Sequence, residues 1–149
     1  MFLVKVVAVL AMSIAIGVLY RIPRTLLIYA SVTGVVGWVV MYLVVLNGVN
    51  SIMANFLGSM AVGLLAELLA RVLKKPATIF IVPGFIPLVP GREAYTAMRF
   101  MVEGQYNEGV AMGMLTLLTG GAIAFGIFVS STLYRLTRIS TDYQVESRG

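Results

Sequence analysis

The sequence contains neither cysteine nor histidine. Disulfides, thiol nucleophiles, zinc sites and histidine proton relays are therefore excluded within the chain. The lack of cysteine does not identify a compartment. Charge is sparse as well. Asp, Glu, Lys and Arg make up 11 % of the 149 residues, against about 25 % in an ordinary soluble domain. Acidic residues are the scarcer sign, six against eleven basic ones, for a net charge of +5. That excess does not point to nucleic acid, because the basic residues flank apolar runs, where topology determinants sit. There is no Gly-rich phosphate loop, heptad array, internal repeat or low-complexity segment. Hydroxyl side chains are scattered, with no histidine to activate them, and no carboxylate pair lies deep in an apolar run. No enzyme chemistry, metal site or cofactor is expected.

What is abundant is apolar. Hydrophobic residues make up 60 % of the chain, and the mean hydropathy is +0.98. The expectation is one polytopic, all-helical membrane domain. Apolar runs cover residues 2–20, 25–46, 51–73 and 109–134, each long enough for one span. The first is read as a helix and not as a removed signal peptide, because it lacks a small-residue cleavage site. Gly34, Gly37, Gly58, Gly63, Gly120 and Gly121 are expected to allow close helix approach. The Gly120-Gly121 pair could also permit a kink. Residues 92–103 read as an amphipathic helix, with Arg92, Thr96, Arg99 and Glu103 on one face. Ala94, Ala97, Met98 and Met101 recur on the other. Residues 135–149 read as a polar, mobile tail.

The stretch of residues 76–90 breaks the pattern. It is apolar but carries Pro83-Gly84, Pro87 and Pro90, with Gly91 next. Internal proline removes a backbone donor and clashes with the preceding turn. Freed backbone groups in a membrane survive only when buried in protein or lining a wet cavity, and transporters place substrate and ion sites at such breaks. About 15 residues of helix would be roughly 22 Å long, short of about 30 Å of hydrocarbon. The stretch is either a short broken span or a re-entrant loop. Arg21 and Arg24 share one side with Arg71, Lys74 and Lys75, and that side should be cytoplasmic. Arg135 and Arg138 join them only if the broken segment crosses. Five crossings, with the N-terminus outside, are the favoured arrangement.

Few polar residues lie inside the runs. Glu67 is the one acidic residue well within a run, which makes it a functional candidate by default. Arg71 follows four residues later, so a local ion pair is the alternative. Proton coupling would fall to Glu67 or Glu93. Asn55 and Ser59 are one turn apart and suit either a pathway or interhelical hydrogen bonds. Arg92 follows the last Pro-Gly pair, where a guanidinium beside free amides would suit a carboxylate. Pro83, Gly84, Pro87, Pro90 and Gly91 are the expected substrate-binding or gating positions, interrupting regular helix near a central cavity.

Phe85-Ile86-Pro87-Leu88-Val89-Pro90-Gly91, preceded by Pro76-Ala77-Thr78-Ile79-Phe80 and Pro83-Gly84, closely resembles the threonine/serine exporter family. The resemblance is to the family's C-terminal membrane module. It extends back through Arg21-Ile22-Pro23-Arg24, Gly34-Val35-Val36-Gly37-Trp38 and Glu67-Leu68-Leu69-Ala70-Arg71. It implies export of small hydrophilic metabolites, either hydroxylated amino acids or, in some split systems, dicarboxylates such as succinate. It also implies a larger membrane partner, because this chain is similar to the small subunit of the split form. Self-association is the other partner expectation, and the prokaryotic cytoplasmic membrane the expected location. The competing reading is a non-transporting assembly or regulatory subunit, with the Pro-Gly segment as its docking element.

Overall fold

A computed structural model describes the backbone of residues 2–146 and the side chains of residues 2–136. Six α-helices and one 3₁₀ turn make up the described chain, with no strand among these residues. They are α1 (Phe2–Leu19), α2 (Arg24–Leu46), α3 (Ser51–Leu73), α4 (Thr78–Phe85), the 3₁₀ turn (Ile86–Leu88), α5 (Gly91–Val102) and α6 (Tyr106–Glu146). α1, α2, α3 and α6 are long and apolar enough to cross a membrane. The polar tail expected from Arg135 continues α6 as far as Glu146. The mobility expected of that tail falls largely outside the described side chains.

The helix ends follow local chemistry. Pro23 precedes α2, where the missing N–H of proline costs nothing. Asn50 caps α3, its Oδ1 accepting the Ile52 N–H at 3.2 Å. Lys74 closes α3 in the left-handed region, at φ 51°. Gly104, at φ +79°, turns the chain from α5 into α6.

α3 and α6 run parallel. Asn55 and Thr119 line one cavity. Further along, a Cβ on Gly126 would run into Ser59, and one on Gly63 into Ser130. Glu67 and Tyr134 then line another cavity. Two parallel neighbours require the chain between them to return along the bundle. The segment 78–88 makes that return. Thr78 stands beside Glu67, whereas Pro87 and Pro90 stand beside Asn55. The segment packs mainly on α2 and α3.

Two apolar clusters hold it there. Leu26, Ala30, Ala66 and Phe80 form one, with Ile22 and Leu73 against it. Val62, Leu88 and Ile123 form the other, with Met41 and Phe85 against it. Small residues admit the segment. A Cβ on Gly84 would stand 2.6 Å from Val62 Cγ1 and 2.9 Å from Thr33 Oγ1. Gly37 and Gly58 meet across α2 and α3, with Leu88 against both.

The glycines expected to allow close helix approach are largely used inside this bundle. Gly34, Gly37 and Gly58 are buried between helices of the same chain. Gly120 and Gly121 have open space around them, and α6 runs unbroken through both. Pro83-Gly84 does not interrupt helix either. Pro83 sits inside α4, and regular helix stops only at Phe85.

Candidate functional site

The bundle has one polar cavity at each end. The first lies where α2 ends and α3 begins. It has a volume of about 320 Å³ and is lined by Ser51, Asn55, Pro87, Leu88, Val89, Pro90, Glu93 and Thr119, with Met41, Val45 and Leu115. This is within the range of small-ligand sites. The second lies where α3 and α6 approach their basic ends. It comprises two adjoining pockets of about 290 and 680 Å³ that share Glu67, Ala77 and Tyr134. Arg71 and Lys75 line the smaller pocket, and Thr78, Ser131 and Arg135 the larger. Twelve residues of α3 separate Asn55 from Glu67, about 18 Å along the axis. Between the two cavities lie Val62, Leu88, Ile123 and Phe85.

The proline segment therefore separates the cavities and lends backbone to both. Proline has no N–H, so Pro83 and Pro87 withdraw the helical bonds to the carbonyls of Ile79 and Pro83. Thr33 supports this buried turn from α2. Its buried hydroxyl proton is shared between the Ala30 and Phe80 carbonyls, at 2.6 and 2.9 Å. The Pro83 carbonyl lies against Gly34, beside the buried hydroxyl of Ser13, which has no hydrogen-bond partner. Near the first cavity, Val89 N–H donates to Ile86 O at 3.1 Å and Gly91 N–H to Val89 O at 2.8 Å. The carbonyls of Pro87 and Leu88 accept no such main-chain bond.

Asn55 is 6 % exposed. Its Nδ2 donates to the Ser51 carbonyl at 2.9 Å, which leaves Oδ1 as the free acceptor. That oxygen is buried without a hydrogen-bond partner. Thr119 donates to Leu115 O at 2.8 Å and keeps its oxygen lone pairs.

The sequence candidates thus divide. Asn55, Pro87, Pro90 and Glu93 meet in one cavity, and Glu67 lines the other. No ion pair within 4 Å joins Glu67 to Arg71. Among the described residues the ion pair is Arg99–Glu103, at 2.7 Å on the exposed face of α5. Glu103 raises the pKa of Arg99 by hydrogen bond and charge. Pro83 and Gly84 are buried between the cavities, and line neither. Gly91 and Arg92 are exposed and line neither. Ser59 is fully buried, donates to Phe56 O at 2.8 Å and packs against Gly126. Its place is in the contact between α3 and α6. Ser51, Thr119, Thr78 and Ser131 were not singled out by sequence reasoning. Only their juxtaposition in space marks them.

A family model described as "Threonine/Serine exporter, ThrE" matches residues 5–133. The chain belongs to the threonine/serine exporter family. It is a multi-pass membrane protein of an exporter family, a family of transporters and not of enzymes. No solved structure matches it. In this exporter-family protein, two polar cavities lie on opposite sides of an apolar layer.

Proposed function

We propose that the chain forms part of the path by which threonine/serine-type metabolites leave the cell. The supporting observation is the pair of cavities at opposite ends of the bundle, each with one carboxylate, separated by the segment 78–88. In alternating access, one side opens while the other is closed. The segment is the natural moving part. Proline has weakened its internal hydrogen bonding, and glycines admit it to the bundle. The basic end, with Arg71, Lys74, Lys75 and Arg135, faces the cytoplasm by the positive-inside rule. Segment 78–88 is then a fifth, shortened crossing, and the first cavity opens outward. The membrane is the prokaryotic cytoplasmic membrane.

Glu67 is the candidate proton carrier on the cytoplasmic side. Export uphill needs coupling, and Glu67 lines a polar cavity without an ion-pair partner among the described residues. A larger subunit of the same family, or a second copy, would complete the walls. Succinate-type dicarboxylates are the second substrate reading, favoured by Arg71, Lys75 and Arg135 around the inner cavity.

Liposomes loaded with labelled threonine, serine or succinate test this reading, with and without a larger family member. Efflux of one substrate that requires this chain supports it. No efflux under any combination, from folded protein, overturns it in favour of an assembly subunit.

A further inference from the structure

The outer cavity has a polarity that the inner one lacks. The charged and strongly polar side chains lining it are one carboxylate, one amide whose N–H₂ is turned to the Ser51 carbonyl, and two hydroxyls: Glu93, Asn55, Ser51 and Thr119. No lysine or arginine lines it. The exposed Arg92 next door is outside the lining. We infer that this cavity is a binding site for one small monovalent cation, held by the Glu93 carboxylate, Asn55 Oδ1 and the backbone oxygens at Pro87 and Leu88.

Three independent observations support the site. First, Asn55 Oδ1 is a buried acceptor with no partner, and an unpaired buried polar atom costs about 1–3 kcal/mol. Its amide cannot simply rotate to relieve this, because Nδ2 is bonded to the Ser51 carbonyl. A cation or a cationic N–H supplies what it lacks. Second, Pro90 has no N–H to offer, and the Pro87 and Leu88 carbonyls accept no main-chain bond. They lie at the C-terminal end of α4 and the 3₁₀ turn, the negative end of the local dipole. Broken half-helices in transporters receive cations at such ends. Third, the charge count selects valence. One carboxylate balances one positive charge. Among the described residues no group of three or more acidic, histidine or cysteine side chains gathers to hold a multivalent metal. All donors are oxygen, which suits hard ions and ammonium but not soft metals. Glu93 stands in the first turn of α5, where a carboxylate complements the helix dipole.

Two sources share this chemistry, an alkali-metal ion and the ammonium group of a substrate. Any role in export rests on the function proposed above, but the binding does not. The test is a melting series on the purified full chain in mild detergent, at constant chloride and ionic strength. Sodium, potassium or methylammonium chloride replaces choline chloride, whose cation is too bulky. We expect a saturable upward shift with at least one small cation. Glu93→Gln and Asn55→Ala should each weaken the apparent affinity at least tenfold. Glu108→Gln, outside the cavity, should leave it unchanged. Saturation by an alkali ion identifies a coupling-ion site, and saturation by methylammonium alone identifies the substrate's ammonium. No saturable shift beyond choline, or an equal shift in Glu93→Gln, overturns the inference. Lost efflux with retained cation binding would reject the export reading and leave the site standing.

Discussion

Gly84→Ala should destabilise the protein, and Gly91→Ala should not, although both glycines follow a proline in the same segment. Neither has a positive φ, so the difference is one of space. A methyl at Gly84 would stand 2.6 Å from Val62 Cγ1 and 2.9 Å from Thr33 Oγ1, where ordinary contact begins at 3.4 Å. Neither neighbour is a flexible tip. Val62 and Thr33 are both fully buried, and Thr33 is held by its two carbonyls. Overpacking of this kind costs about 1–3 kcal/mol, and a site this confined should be near the upper figure. Alanine returns about 1 kcal/mol in helix propensity. The net is a loss of about 2 kcal/mol, or roughly 4–8 °C in melting temperature at about 2–4 °C per kcal/mol. A Cβ on Gly91 would meet nothing within 4 Å, so its change should stay within about 0.5 kcal/mol. The assay is thermal melting in mild detergent at matched protein concentration. Val62→Ala combined with Gly84→Ala provides an internal check, because the added methyl then occupies the vacated space. The double variant should be more stable than the sum of the single losses by more than about 0.5 kcal/mol. Equal effects of the two glycine changes, or strict additivity, would refute the packing argument.

The remaining predictions concern polar groups and the contact between α3 and α6. Thr33→Val should lower stability by roughly 1 kcal/mol, since it removes a buried donor to the Phe80 carbonyl; a melt equal to wild type rejects this. Ser13→Ala should be neutral or stabilising in the same assay, because the Ser13 hydroxyl is buried without a partner. Gly126→Ala should disrupt packing, as its Cβ would come within 2.6 Å of Phe56 O, whereas Gly121→Ala should be tolerated; similar melting of the two variants counts against the parallel pairing. Glu67→Gln should reduce efflux more than Arg71→Gln at equal folded amounts, with a changed pH dependence. Losses that simply track protein abundance would reject a proton role.

The helices were largely legible in the sequence because hydrocarbon thickness dictates run length. Residues 51–73 coincide with α3, and residues 25–46 match α2 within one residue. The position of the break was not legible. Two Pro-Gly pairs suggested two interruptions, yet Pro83 is absorbed within α4 because Thr33 and the surrounding helices support the chain there. Regular α-helix ends at Phe85 instead, before Pro87. The site was legible in pieces only. Asn55 and Glu93 were readable as isolated polar groups, but their shared cavity depends on the return of the chain past α3. Nothing in linear spacing marks Thr119 as their neighbour. Gly120-Gly121 drew attention as a contact, whereas α6 is held by Gly126, which presses on Phe56 and Ser59.

The shortness of the returning segment explains why cavities exist at both ends. α4 and the 3₁₀ turn together hold eleven residues, about 18 Å of rise. That matches the roughly 18 Å of α3 between Asn55 and Glu67, but falls about 12 Å short of a 30 Å hydrocarbon layer. α3 and α6 are both long enough to cover the whole layer. A short element packed on the full-length helices α2 and α3 leaves space beyond each of its ends. At one end the space is lined by Glu93, Asn55 and free carbonyls. At the other it is lined by Glu67, Arg71, Lys75 and Arg135. The prolines keep the element short and hold its last carbonyls out of a regular helix. On the proposed orientation, a solute meets cationic groups first, on the cytoplasmic side, and oxygen acceptors last. A zwitterion with a carboxylate and an ammonium group is complementary to both ends in turn, whereas a dicarboxylate matches only the first. That asymmetry is the physical ground for preferring the amino-acid reading over the dicarboxylate one.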